Sequence, residues 1–291
     1  MKRSFVFQLA CALFLALHLH AADMPKRVLI VGQSSDGHPP LTHEFMPGAR
    51  VLQELLNNSP DALKFSDIQT KVVRADEPWS DGPKLIDDCD GLVMLVTQGS
   101  RWMQTDSNRF AAIKRLAARG GAIVALHWSV GSKDAEYIEG QLNLLGATRG
   151  GPQRKYVVSQ GDYVRVAPKH PILTGVPDFT AYDEHYYRLD RRKDIQPLLT
   201  VKIEGHDEMV AWAWERPDGG RSFGFVGLHF HANWQLPVYQ RFVVQGVRWA
   251  LKLPIPEGGV NTVIDPKSLE IDGKLPPPAG PAPDKKTTAA K

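Results

Sequence analysis

Gly120-Gly121-Ala122-Ile123-Val124-Ala125-Leu126-His127-Trp128-Ser129 decides the fold. The glycine pair stops the helix-spaced run before it, and Ala122 to Leu126 is an unbroken apolar run between turn signals. Such a run reads as a strand buried on both faces of a mostly parallel sheet. In open α/β sheets these strands deliver side chains to the crevice at their carboxyl ends. Here the side chains are His127, Trp128 and Ser129, and a titratable ring in that place is a first functional hint. A histidine packed and hydrogen-bonded beneath a loop is the competing reading.

Working outward, Arg27 to Gly32 and Gly91 to Thr97 repeat the buried-strand pattern, and Thr70 to Arg74 is a weaker version. Phe45, Ala49, Leu52 and Leu56 follow helical spacing, with Thr42 as a cap and His43 at the helix start, above the first strand's carboxyl end. Phe110, Ile113, Leu116 and Ala117 mark a helix over Asp106 to Arg119, and another surrounds Ala135 to Leu145. Four strand–helix alternations imply a doubly wound parallel sheet. No Gly-x-Gly-x-x-Gly fingerprint accompanies it.

The second half changes character. Val157 to Val166 reads as paired short strands around Gly161-Asp162. Met209 to Glu215 and Arg221 to Gly227 alternate, and Pro217-Asp218-Gly219-Gly220 joins them as an added hairpin. Pro237 to Leu251 is the last helix. Residues 254–291 shift towards Pro, Ala and Lys, the composition of a disordered, solvated tail.

Lys2 and Arg3, the apolar Phe5 to Leu17 and the small residues at Ala21-Ala22 read as a secretory signal peptide over residues 1–22. The domain is then 25–253, and the expectation is a periplasmic or secreted protein. The apolar run is short for a membrane span, so none is expected after cleavage, an uncleaved anchor being the alternative. Without Lys2 and Arg3, 33 basic residues stand against 32 acidic ones, which points away from a nucleic-acid partner. Losing Cys11 leaves Cys89 alone, so no internal disulfide can form.

A series of motifs in the second half resembles the ThuA-like (trehalose utilisation) family. It comprises His170-Pro171-Ile172 with Gly175, Asp183-Glu184-His185-Tyr186-Tyr187-Arg188, Met209-Val210-Ala211-Trp212, Gly220-Arg221-Ser222-Phe223, Gly227-Leu228-His229 and a final helix ending Trp249-Ala250. The resemblance covers roughly Arg27 to Leu251. It implies a flavodoxin-like, class I glutamine amidotransferase-like three-layer sandwich and a role in disaccharide or keto-glycoside metabolism. In the amidotransferase fold the strand-to-helix elbow carries a cysteine nucleophile. The matching position here is His127, which excludes thiolate attack on glutamine. Where the family usually ends this motif in Gly-His, this chain has Gly227-Leu228-His229 and a second ring at His231.

The candidate reacting groups are His43, His127, Glu184, His185, His229 and His231. In extended backbone His229 and His231 share a face. With His43 and His127 they form a candidate donor set for a divalent metal such as zinc, which could polarise a sugar carbonyl or activate water. The alternative packs His-x-His beneath the hairpin. A metal-free site would use His127, Glu184 and His229 for acid–base work; against it, Asp183-Glu184 could be a solvated corner paired with Arg188. His43, Trp102, Trp128, Tyr186 and Trp234 are the candidate contacts to a small carbohydrate, the tryptophans offering flat faces. A sugar-binding protein without catalysis is the second reading.

Overall fold

Buried apolar runs occupy the centre of the molecule. In a computed structural model that describes residues 24–281, Lys26–Gly32 (β1), Gly91–Leu95 (β3) and Ala122–Leu126 (β4) lie parallel, side by side. Strands β3 and β4 are buried along their whole length because helices cover both faces. Ile68–Arg74 (β2) extends the sheet beyond β1, and Arg221–Phe225 (β11) beyond β4, both parallel. The order β2-β1-β3-β4-β11 is that of a flavodoxin-like doubly wound fold.

The helices are Phe45–Asn58 (α1), Pro60–Phe65 (α2), Gly82–Asp87 (α3), Gly99–Thr105 (α4), Ser107–Ala118 (α5), Ile138–Leu145 (α6) and Pro237–Ala250 (α7). Helices α1 and α7 pack together over one face, and α3 to α6 over the other, making three layers. The spacing of Phe45, Ala49, Leu52 and Leu56 is the buried stripe of α1. Among the described residues no helix is long and apolar enough to cross a membrane.

The remaining strands, Lys155–Arg165 (β6), Phe179–Tyr187 (β7), Gln196–Ile203 (β9) and His206–Glu215 (β10), continue the same sheet as β11-β10-β9-β6-β7, all antiparallel. The expected hairpin is β10-β11, and it is an integral part of the sheet. Two short strands, Ala147–Thr148 (β5) and Asp190–Arg191 (β8), pair separately.

Several local expectations change. Residues 155–165 form one strand, paired with β7 from Lys155 opposite Tyr187 to Tyr163 opposite Phe179. Gly161 is no turn: a Cβ there would sit 2.8 Å from Nε2 of His185, so the glycine admits that ring. Thr42 does not cap α1; its hydroxyl donates to the Pro39 carbonyl at 2.6 Å and closes the preceding loop. The segment after residue 254, expected to be a solvated tail, is anchored as far as the structure describes it. Val260 and Leu269 are buried, and Gln245 accepts from the Val260 N–H at 2.7 Å. Gln235 donates to the Pro276 carbonyl at 2.8 Å. A few apolar anchors at irregular spacing hold this strap, and composition conceals them. The expected signal peptide, residues 1–22, and residues 282–291 lie outside the described residues.

Candidate functional site

Turns at the carboxyl ends of the parallel strands bring three imidazoles together. His127 follows β4 directly, His43 follows the loop after β1, and His229 follows β11. His127 (φ 50°) and His43 (φ 52°) both have left-handed backbone, a conformation that costs about 1–3 kcal/mol per non-glycine residue and persists only where neighbours enforce it. The Ser129 hydroxyl donates to the Val96 carbonyl at 3.1 Å and accepts from the Val96 N–H at 2.7 Å, tying the β4 elbow to the end of β3. The His43 N–H donates to the His229 carbonyl at 3.0 Å, joining the other two turns.

The antiparallel half adds Glu184 and Tyr186. Alternate residues of β7 point to one face, which turns both towards the imidazoles. Nε2 of His127 lies 3.0 Å from Nε2 of His43, 3.2 Å from Nδ1 of His229, 3.2 Å from the Tyr186 hydroxyl and 3.5 Å from Oε2 of Glu184. Oε2 of Glu184 is also 3.4 Å from Nδ1 of His229. One donor atom from each of His43, His127, His229 and Glu184 falls within 4.8 Å of all the others.

Their outer partners assign the ring protons. Nδ1 of His127 faces the Val226 carbonyl at 2.8 Å, which can only accept, so this nitrogen carries the hydrogen. Nδ1 of His43 donates to Oδ2 of Asp36 at 2.8 Å. Both Nε2 atoms therefore turn bare lone pairs towards each other. A shared proton would relieve the contact, but burial opposes it. Burial, then the proximity of His43 and His229, pushes His127 well below its ordinary pKa, and burial with His43 and His38 nearby pushes His229 down to about 3. Burial also lowers His43, against the pull of Asp36. Burial alone would raise the Asp36 carboxyl, but its bonds to His43 and His38 hold it far below the usual range.

A divalent cation fits this donor set. Metal–nitrogen bonds of about 2.0–2.1 Å put neighbouring ligands of a tetrahedral site about 3.3 Å apart; four of the six separations here run from 3.0 to 3.5 Å and all lie within 4.8 Å. The outer bonds from His43 to Asp36 and from His127 to Val226 are the kind that orient metal-bound imidazoles. Burial raises Glu184 to about 7, and burial keeps the Tyr186 phenol well above its usual pKa, hence protonated.

Several sequence candidates take other places. His231 opens a turn of 3-10 helix, so it leaves the extended face it was expected to share with His229 and does not join the donor group. His185 points to the opposite face of β7, beside Tyr163. His43 is 2% exposed and serves the cluster rather than a ligand surface. Trp102, Trp128 and Trp234 are between 2% and 4% exposed, so none offers a face to a sugar; large apolar rings in this fold are core. Tyr186 is buried as well, its hydroxyl 3.2 Å from Nε2 of His127. The proposed Arg188 pairing does not form; Arg188 meets Glu204 at 2.7 Å.

Asp36, His38 and Asp183 were missed. His38 stacks on His43 with ring centroids 3.7 Å apart and bonds Asp36 at 2.6 Å. Asp-x-His after the first strand, Asp36-Gly37-His38, was the available signal. Asp183 is fully buried and accepts from the N–H groups of Leu228, His229 and Glu184 and from the Tyr239 hydroxyl, at 2.8–3.0 Å. It pins the His229 turn to β7, although burial raises its carboxyl to about 6. No sequence pattern separates it from an acidic surface corner.

Fold and site together define a doubly wound α/β protein with a histidine–carboxylate centre at the strand carboxyl ends. The chain belongs to the ThuA family, trehalose utilisation, whose family model matches residues 27–250. That membership associates it with carbohydrate metabolism in general terms. It is similar to a ThuA-like protein from Parabacteroides merdae ATCC 43184, with TM-score 0.61 and 14% identity over 85% of this chain and 100% of that one. A ThuA-like protein from Bacteroides uniformis ATCC 8492 gives 0.59 and 15% over 79% and 93%. Part of a β-galactosidase from Rahnella sp. R3 gives 0.51 and 12%, over 79% of this chain and 32% of that one. At these identities the likeness concerns the fold. No curated protein sequence matches the chain significantly.

Proposed function

We propose that the protein is an exported enzyme of carbohydrate metabolism that performs metal-assisted acid–base chemistry on an oxidised, keto-bearing glycoside. The observation that carries this reading is the convergence of bare Nε2 atoms from His43 and His127 with Nδ1 of His229 and Oε2 of Glu184. His43, His127 and His229 would hold the ion, the bonds to Asp36 and Val226 fixing tautomer and orientation of the first two. A divalent metal there supplies Lewis-acid polarisation of a carbonyl oxygen.

Glu184 sits at the outer edge of the group, where a carboxylate can take the proton from the carbon next to a ketone. Tyr186, kept protonated, can donate a hydrogen bond to the oxygen that gains charge. The Asp36 and Val226 contacts hold the imidazoles still while the proton moves. With no cysteine at the elbow, glutamine hydrolysis by a thiolate has no nucleophile.

Elemental analysis of purified protein, combined with turnover of keto-glucosides, tests this. Wild type should carry about one zinc, manganese or nickel ion per chain, as a single site of this donor type requires. Glu184→Gln should keep the ion and lose turnover. Metal-free protein with unchanged keto-glucoside turnover would overturn the reading.

A further inference from the structure

Among the described residues four arginines are buried: Arg109, Arg149, Arg216 and Arg248. Three have carboxylate partners. Arg109 meets Glu77 at 2.6 Å, Arg216 meets Asp218 at 3.0 Å, and Arg248 holds Asp67 through two bonds of 2.6 and 2.9 Å. Arg149 is different. Its side chain pairs with no carboxylate and donates to no carbonyl among the described residues, and its Nε, like that of Arg109, is buried without a partner. The backbone is fixed, its N–H donating to the Val130 carbonyl and its carbonyl accepting from the Ser132 N–H, both at 2.9 Å. Aromatic faces pack on the guanidinium, Tyr186 at 4.2 Å, Trp128 at 4.4 Å and Tyr156 at 5.5 Å, and the Glu184 carboxylate acts on its charge from beyond pairing distance.

Cation–π contact offsets part of the burial, but it leaves the buried Nε without an acceptor. An unpaired buried donor costs about 1–3 kcal/mol, and more when charged. The position gives the fork a use. Tyr186 lies between Arg149 and the imidazole centre: its ring stacks on His127 at 5.1 Å while its other neighbour is the guanidinium. Tyr156 stands directly opposite Tyr186 in the β6–β7 pairing, on the same face, and is 59% exposed. Val158, opposite Glu184, is 38% exposed. The β6–β7 face is thus an open, partly apolar floor, bordered by the Glu184 carboxylate and by an arginine that forms no ion pair.

We propose that Arg149 is the anion-binding subsite of this centre and that the substrate is a sugar acid, its carboxylate held by the Arg149 fork and its ring lying over Tyr156 and Val158. The planar fork matches a carboxylate through two parallel bonds. This assignment rests on the proposed site but does not require the metal. An oxidised sugar carrying a carboxylate would then place its carbonyl one aromatic ring away, at the imidazoles.

Titration calorimetry with glucuronate, glucose and glucose 6-phosphate tests it on the full chain. Wild type should bind glucuronate about ten- to a hundredfold more tightly than glucose, the range one charge-assisted pair supplies. Arg149→Gln should erase that preference while keeping the metal content and near-ultraviolet dichroism of wild type. Tyr156→Ala, which changes an exposed residue, should weaken glucuronate and glucose alike and retain the preference. Equal binding of glucuronate and glucose by wild type overturns the subsite, and tighter capture of glucose 6-phosphate overturns the carboxylate assignment. A metal-free protein that still shows the Arg149-dependent preference would overturn the metal reading alone.

Discussion

In the parallel half of the sheet, β1 to β4 with β11, the site side chains stand on turns; in the antiparallel half they stand on a strand. His43, His127 and His229 each leave a strand end, two of them through left-handed backbone. Glu184 and Tyr186 face the centre because β7 alternates. Turns concentrate ring nitrogens at one spot at the cost of strain, whereas a strand sets its groups two residues apart without strain. The two halves meet at Asp183, which binds the His229 turn from the far side of β7.

Breaking the turn side should have the largest effect. His127→Ala removes the nitrogen at the centre of the cluster, and turnover of a keto-glycoside should fall by about a thousandfold or more together with metal content. Retention of both would show that the turns are scaffold only. Asp36→Ala leaves His43, His127, His229 and Glu184 in place but frees the His43 ring. It should weaken metal affinity about 10–100-fold, as measured by competition with a chelator, and unchanged affinity would deny Asp36 its orienting role.

The junction comes next. Asp183→Asn replaces an acceptor that serves four donors with a group offering only one oxygen. Unfolding in denaturant should show a loss of about 1–3 kcal/mol, and loosening of the His229 turn should lower metal affinity as well. A stable variant with normal metal binding would mean that the halves are held elsewhere.

The smallest effect concerns a histidine away from the site. Burial lowers His170 to about 4, and its Nδ1 accepts from the Ile172 N–H. The unfolded imidazole, near pH 6.5, takes up its proton before the folded one does. Its contribution is therefore present in full above pH 6.5 and is lost as the pH falls towards 4. His170→Asn keeps an acceptor at that position and should flatten the decline in thermal midpoint over that window. An unchanged slope would assign the decline to His185 and His231, which burial also lowers to about 4.

Much of the parallel half was legible because its strands are unbroken apolar runs and each delivers a polar residue at its end. That logic points to His43, His127 and His229, which the structure brings together with Glu184. Glu184 stood out only as one of a run of polar and aromatic residues, 182–188. The tryptophans misled because a ring suited to a sugar is equally suited to a core, and sequence carries no record of exposure. His231 misled because two residues of spacing imply a shared face only while the backbone stays extended, and a 3-10 turn starts at that residue.

From the sequence alone came the alternation of strands and helices, the order of the chain and the identity of the elbow residue, since hydrophobic period and turn residues are local properties. Only tertiary structure decided that the imidazoles face each other with bare nitrogens, that Asp183 is a buried brace and that Arg149 forms no ion pair. Those depend on which groups meet across a hundred residues, and proton placement, burial and charge pairing are properties of the meeting rather than of either residue.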